Sequence, residues 1–276
     1  MSAREKRPVA LTIAGSDSGG GAGVQADLKT FAACGVHGAS AITCLTAQNP
    51  RRVLAVEPCT PRMLERQIQA VFAELPPRAA KTGMLFSAAN LRVVAAFWGA
   101  PGHRRIPLVV DPVMVSTSGA KLLTPPAIRL LQDKLLPLAA LATPNLDEAE
   151  ILAEQKLREP EDLRAAARKI FARFGCAVLV KGGHLQPTRE AMDVFYDGKT
   201  ELLLVAPFVR GVTTHGTGCT YSAAICAALA LGRDLPGAVA FGKNFITAAI
   251  AHSYRLGPHF GLNPGPIPHS ALRTPH

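Results

Sequence analysis

The chain has 276 residues, with 30 Lys and Arg against 20 Asp and Glu for a net charge of +10, 48% hydrophobic residues and six cysteines. That length and apolar content allow one large domain or two small ones with a sizeable core, which excludes a disordered chain. The longest apolar runs, 135–142 and 222–231, fall well short of the ~20 residues a spanning helix needs, so no membrane role is expected.

The run 9–14 follows Arg4, Lys6 and Arg7 and faintly imitates a signal peptide, but it stops at Gly15-Ser16-Asp17 and reads as a first strand. Val24, Leu28, Phe31 and Ala32 then follow the spacing of a buried helix stripe, with Gly35 placed to end that helix. Further strands are expected at 39–46, 79–82, 108–111, 138–143 and 177–181. They alternate with helical patterns such as Leu64, Ile68, Val71 and Phe72, the sequence form of a mostly parallel sheet flanked by helices. Near residue 190 the rhythm changes: 194–196, Asp197-Gly198 and 202–205 read as a hairpin that adds an antiparallel edge. The stretch 216–231, rich in Ala, Ser, Gly and Cys, reads as a closely packed helix. No linker or repeat interrupts this order, so a single domain is expected, with a core at about 9–256 and a loop-rich tail at 257–276.

The cysteines form no C-x-x-C pair, and a chain of this length does without disulfide staples, so they read as free thiols in a reducing compartment. The basic residues are scattered and aromatics make up 5% of the chain. This argues against nucleic acid and suits an anionic small molecule.

Two glycine-rich segments stand where chemistry could sit. Residues 15–23 follow the first strand and open the first helix, where free N–H groups and the helix dipole favour a polar or anionic group. The segment is neither G-x-G-x-x-G nor a Walker A loop, and a plain turn fits it equally. In Thr213-Thr214-His215-Gly216-Thr217-Gly218-Cys219, the glycines allow inward-pointing N–H groups at a helix start, an anion pocket for developing phosphate charge. Cys219 falls in the first helical turn, where the dipole lowers a thiol pKa and favours thiolate; the plain alternative is a packing residue like Cys226. His215 has no identifiable acidic partner and reads as a loop histidine.

Asp111 closes a strand, and Asn145-x-x-Glu148 follows another. Such groups can hold Mg²⁺ through retained waters, although a helix capping box fits Asn145 and Glu148 as well. Lys181, before Gly182-Gly183-His184, needs an anionic partner such as phosphate. The Gln48 amide could bond an amino-substituted nitrogen heterocycle, or be an ordinary turn residue.

Taken together, Ala14-Gly15-Ser16-Asp17, the run from Gly23 to Thr30, Thr46-Ala47-Gln48-Asn49, Lys81-Thr82-Gly83-Met84-Leu85, Asp111-Pro112-Val113-Met114, Thr143-Pro144-Asn145, Val180-Lys181-Gly182-Gly183-His184 and His215-Gly216-Thr217-Gly218-Cys219 resemble the hydroxymethylpyrimidine kinase / phosphomethylpyrimidine kinase family of thiamine biosynthesis, within the ribokinase-like superfamily. The resemblance implies an α/β fold, a three-layer α/β/α sandwich with a mostly parallel sheet and a small antiparallel flap, acting as a cytoplasmic homodimer. It implies phosphorylation of 4-amino-5-hydroxymethyl-2-methylpyrimidine, then of its monophosphate, by ATP with Mg²⁺. By the same resemblance Gly15, Ala22, Asp27, Gln48, Met84 and Val113 surround the pyrimidine, and Asn145, Lys181, Thr214 and Gly218 meet ATP. Asp111 and Glu148 serve the metal. Gly216, Thr217 and Gly218 form the anion hole, and Cys219 stands where most sugar kinases of the superfamily carry an aspartate base. Gly19 and Ala120 depart from the usual family residues. Two rivals remain at this stage, a pyridoxal kinase of the same superfamily and a non-catalytic pyrimidine-binding protein.

Overall fold

The structure is a computed structural model describing residues 6–114, 123–183, 190–209, 211–212 and 215–265. In chain order its elements are β1 (Val9–Asp17), α1 (Gly23–Ala33), β2 (His37–Asn49), β3 (Arg52–Pro58), α2 (Pro61–Glu74), β4 (Ala79–Thr82), α3 (Ala88–Gly99), β5 (Leu108–Val110), α4 (Pro125–Leu130), β6 (Leu141–Ala142), α5 (Leu146–Ala153), α6 (Pro160–Phe174), β7 (Ala177–Lys181), β8 (Glu190–Tyr196), β9 (Glu201–Pro207), α7 (Thr217–Ala230), α8 (Leu235–Ala251), β10 (Tyr254–Leu256) and β11 (His259–Gly261).

One nine-stranded sheet runs in the order β3-β2-β1-β4-β5-β6-β7-β8-β9. The strands from β2 to β7 pair in parallel, while β3 at one edge and β8 and β9 at the other pair antiparallel. Helices cover both faces, which is why the central strands are continuous apolar runs without alternation. One face packs against α2 to α6 around Leu64, Ile68, Leu91 and Trp98; the other packs against α1, α7 and α8 around Phe31, Ile225 and Phe245. Helix α7 is buried along nearly its whole length because its Ala, Ser and Cys side chains let neighbours come close. At Gly242 of α8, a Cβ would stand 2.5 Å from Ile225 Cγ1, so that helix touches α7 almost backbone to side chain.

Two expected regions differ, and strand β3 was not expected. The run 138–143 contributes only the two-residue β6, because Leu131–Leu138 winds as π-helical and 3-10 turns, and a short apolar run does not distinguish strand from buried helix. Strand β3 is exposed, with Val53 and Leu54 facing solvent, and lacks the in-out alternation that marks a strand. The tail read as loop contains β11, which pairs with β10. Among the described residues no helix is long and apolar enough to cross a membrane.

The carboxyl ends of the parallel strands bring Asp17, Thr82, Asp111 and Lys181 to one edge, where open α/β sheets keep their ligand crevice. The opposite layer is held by an aromatic cluster in which Trp98 packs edge-on to Phe72 at 5.8 Å and its indole N–H donates to Ile106 O at 3.3 Å. Trp98→Ala is expected to cost about 3–5 kcal/mol in urea unfolding; a loss below about 1 kcal/mol would contradict the packing described.

Candidate active site

The first glycine-rich loop is organised by one carboxylate. Asp17 accepts from Gly19 N–H (2.7 Å) through Oδ1 and from Gly21 (3.1 Å) and Ala22 N–H (2.8 Å) through Oδ2. Burial pushes its carboxyl up, but the bonds from His215, Ala22 and Gly19 outweigh that and hold it below the usual carboxylate range. Gln25 fastens the loop from α1, accepting from Asp17 N–H and donating to Ser16 Oγ. The β1–β2 register shifts at Gly15, where a Cβ would lie 2.9 Å from Cys44 Sγ and 3.3 Å from Met84 Cε. Gly15, Cys44 and Met84 therefore lie packed against one another. Cys44 was not foreseen.

The second glycine-rich loop locks onto the first. Gly216 has φ +86, and a Cβ there would fall 1.8 Å from Gly21 O and 3.3 Å from Ala22 Cα. His215 does have an acidic partner: its Nε2 lies 3.2 Å from Asp17 Oδ2, a residue 198 positions upstream and so invisible to local reading. The same Nε2 lies 3.0 Å from Gln48 Nε2, while Gln48 Oε1 accepts from Thr46 Oγ1 at 3.2 Å. The amide expected on the pyrimidine thus rests against His215 in this structure.

Beneath the start of α7 lie paired charges. Lys181 Nζ donates to Asp111 Oδ1 at 3.1 Å, and Ser222 Oγ donates to Asp111 Oδ2 at 3.2 Å. A Cβ on Gly218 would stand 3.3 Å from Lys181 Nζ and 3.6 Å from Asp111 Oδ2, so the first turn of α7 rests on this pair. Burial works against the Lys181 ammonium, but Asp111 and Glu148 outweigh it and raise its pKa.

Glu148 accepts from Met114 N–H and Asn145 N–H, each at 3.0 Å, and Asn145 Oδ1 accepts from Glu148 N–H. The capping box is therefore real, and it fixes the Glu148 carboxylate beside Asp111. Burial and repulsion from Asp111 push Glu148 up to about 7. Two buried, mutually repelling carboxylates fit a Mg²⁺ held mainly by phosphates and waters, since each oxygen keeps a lone pair and a cation relieves the repulsion. Among the described residues no cluster of three or more acidic, His or Cys side chains forms a fuller metal cage.

Asp27, expected among the residues around the pyrimidine, is fully enclosed. Both its oxygens lie 3.1 Å from Lys81 Nζ, and Thr12 Oγ1 donates to it at 2.6 Å. Burial works against charge on both groups and raises the Asp27 carboxyl, while the attraction of Asp27 holds the Lys81 ammonium above its usual value. Sequence reasoning also gave Lys81 no role of its own; a lysine inside the short, fully buried β4 was its signal.

Cys219 lies above this pair, at the start of α7 and facing Gly23 N–H at the start of α1. Burial pushes its thiol up to about 11, and Asp27 and Asp111 add to the rise against the pull of Lys81. The expected thiolate is therefore not the resting form, because enclosure outweighs the dipole. Val113 at φ +43 and Phe86 at φ +69 hold left-handed backbone that β-branched and aromatic side chains avoid, strain of the kind stored at functional sites. Thr214 and His184 lie outside the described residues.

A helix start set over a buried Asp–Lys pair, at the crevice of a mostly parallel sheet, fits a small-molecule kinase of the ribokinase-like class. The family described as phosphomethylpyrimidine kinase matches residues 17–263. The hydroxymethylpyrimidine/phosphomethylpyrimidine kinase of Rhizobium meliloti is 47% identical over 262 residues, covering 95% of this chain and 96% of that protein. Among solved structures, the phosphomethylpyrimidine kinase of Clostridium difficile aligns with TM-score 0.78 and 41% identity over 88% of this chain and 100% of that one. The pyridoxal kinase of Bacillus subtilis, in an ADP complex, aligns with TM-score 0.85 and 36% identity over 97% and 99%. The chain belongs to the phosphomethylpyrimidine kinase family.

The raised thiol is directly measurable. At pH 8, iodoacetamide should label Cys219 on the order of 100-fold more slowly than a free cysteine, with the rate still climbing beyond pH 10. A plateau reached near pH 7, read by peptide mass mapping, would contradict it.

Proposed function

We propose that this chain transfers the γ-phosphoryl group of ATP to the hydroxymethyl oxygen of 4-amino-5-hydroxymethyl-2-methylpyrimidine, and then phosphorylates the monophosphate to the diphosphate. The observation that carries this reading is the first turn of α7, poised between the Asp111–Lys181 pair and the loop from Gly15 to Ala22. Phosphoryl transfer is mostly positioning and charge stabilisation, and these are the elements present.

In this reading Asn145, Lys181, Thr214 and Gly218 hold the nucleotide phosphates, and the amides of Gly216, Thr217 and Gly218 receive the charge developing on the transferred group. Asp111 and Glu148 would hold Mg²⁺, which supplies charge neutralisation along the phosphates when bound. Gly15, Ala22, Met84 and Val113 shape the pyrimidine pocket. Gln48 exchanges His215 for the ring's amino group and nitrogen. Asp27 acts from behind the pocket through Lys81 rather than by touching the ring. Cys219, as a neutral thiol, orients the hydroxymethyl group, whose proton leaves late in the reaction. The homodimer and the cytoplasmic setting belong to the same proposal and rest on the family resemblance.

A second reading, phosphorylation of a vitamin B6 alcohol, is favoured by the fold alignment with pyridoxal kinases. Coupled ADP release with Mg·ATP should separate the two, with products identified by mass. Turnover of hydroxymethylpyrimidine and diphosphate formation from its monophosphate are expected. Turnover of pyridoxal alone would overturn the proposal in favour of the second reading, and silence on all three acceptors would overturn both.

A further inference from the structure

A second buried charge network lies behind the nucleotide side of the site. Asp193 on β8 is the direct cross-strand partner of Lys181 on β7, so the two side chains share a face of the sheet. Its Oδ1 accepts from Gly182 N–H at 3.0 Å; its Oδ2 accepts from Lys243 Nζ of α8 at 2.7 Å and from Tyr221 OH of α7 at 3.2 Å. Lys243 also donates to Ala191 O at 2.8 Å, and all three side chains are buried. Charges therefore alternate from β5 to α8 as Asp111, Lys181, Asp193 and Lys243. Two consecutive residues of α7 rest on this row, with Ser222 on Asp111 and Tyr221 on Asp193.

A buried ion pair contributes little net stability over an apolar equivalent, so stability does not account for this network. Its contacts point instead to geometry. The backbone turn after Lys181 is tight: a Cβ on Gly182 would lie 2.4 Å from Met192 O and 2.5 Å from a Leu163 methyl. The Gly182 N–H in this turn bonds to Asp193. Building on the kinase reading above, we propose that Asp193, backed by Lys243 and Tyr221, is a positioning residue for the nucleotide. It sets the Lys181-Gly182-Gly183 turn against the first turns of α7, while the pocket around Gly15, Cys44 and Met84, carried by other strands, is left untouched.

The test compares nucleotide and acceptor constants in Asp193→Asn, Tyr221→Phe and the double variant Asp193→Asn/Lys243→Met. Asp193→Asn strands the Lys243 ammonium and should raise both the KM for ATP and the calorimetric Kd for ADP about tenfold, with the KM for the pyrimidine within about twofold. The double variant keeps an acceptor for Gly182 without the stranded charge and should return both constants to within about threefold of the parent. Tyr221→Phe, which changes no charge, should move the ADP Kd about threefold and carries the test together with the double variant if Asp193→Asn does not fold. Unchanged ADP affinity in folded variants, a parallel rise in both KM values, or no recovery in the double variant would overturn the proposal. ADP binding is read without any acceptor, so failure of the parent protein to phosphorylate the pyrimidine would defeat the functional reading alone.

Discussion

Gly216 has no room for a side chain. Its backbone bends to φ +86 and lies so close to Gly21 that a single added carbon would overlap that carbonyl. The rest of the site depends on this contact, because it brings two glycine-rich segments, nearly two hundred residues apart in the chain, into one wall. The first segment is shaped by Asp17, which draws in the amides of Gly19, Gly21 and Ala22, and the second is pinned to that same carboxylate by His215. Both glycine-rich loops are thus built on one carboxylate, and displacement of either loop displaces the other.

Behind this junction the sheet carries charges that an apolar interior would ordinarily exclude. Asp27 with Lys81 and Asp111 with Lys181 stand at 3.1 Å under the start of α7. Such pairs contribute little to folding, but fixed charges in a dry site act strongly on a transferring phosphoryl group without reorganisation. The same enclosure explains Cys219. Its position at a helix start favours thiolate, but the surrounding protein and the neighbouring carboxylates push the thiol up.

Much of this was legible in the sequence. The strands at 79–82 and 177–181 coincide with β4 and β7, since short buried runs bounded by turn residues leave few alternatives. The two glycine-rich segments stood out because each joins a turn composition to the start of a helical pattern. Long-range pairing was hidden. Nothing near His215 announces Asp17, and nothing near Asp27 announces Lys81, because those partners meet only when β1, β4, α1 and α7 assemble. Of the two readings of Asn145 and Glu148, the capping box forms, and by forming it sets the Glu148 carboxylate beside Asp111. Strand β3, largely exposed and with its apolar residues in one unbroken run, gave no periodicity to read.

The most direct test of this account is the turnover of Gly216→Ala, with folding checked by circular dichroism. If the loop junction organises both halves of the site, kcat should fall by at least about 100-fold while the protein stays folded, since a displacement of this size misplaces the anion pocket and the acceptor together. A folded Gly216→Ala protein with kcat within about twofold of the parent would contradict the account.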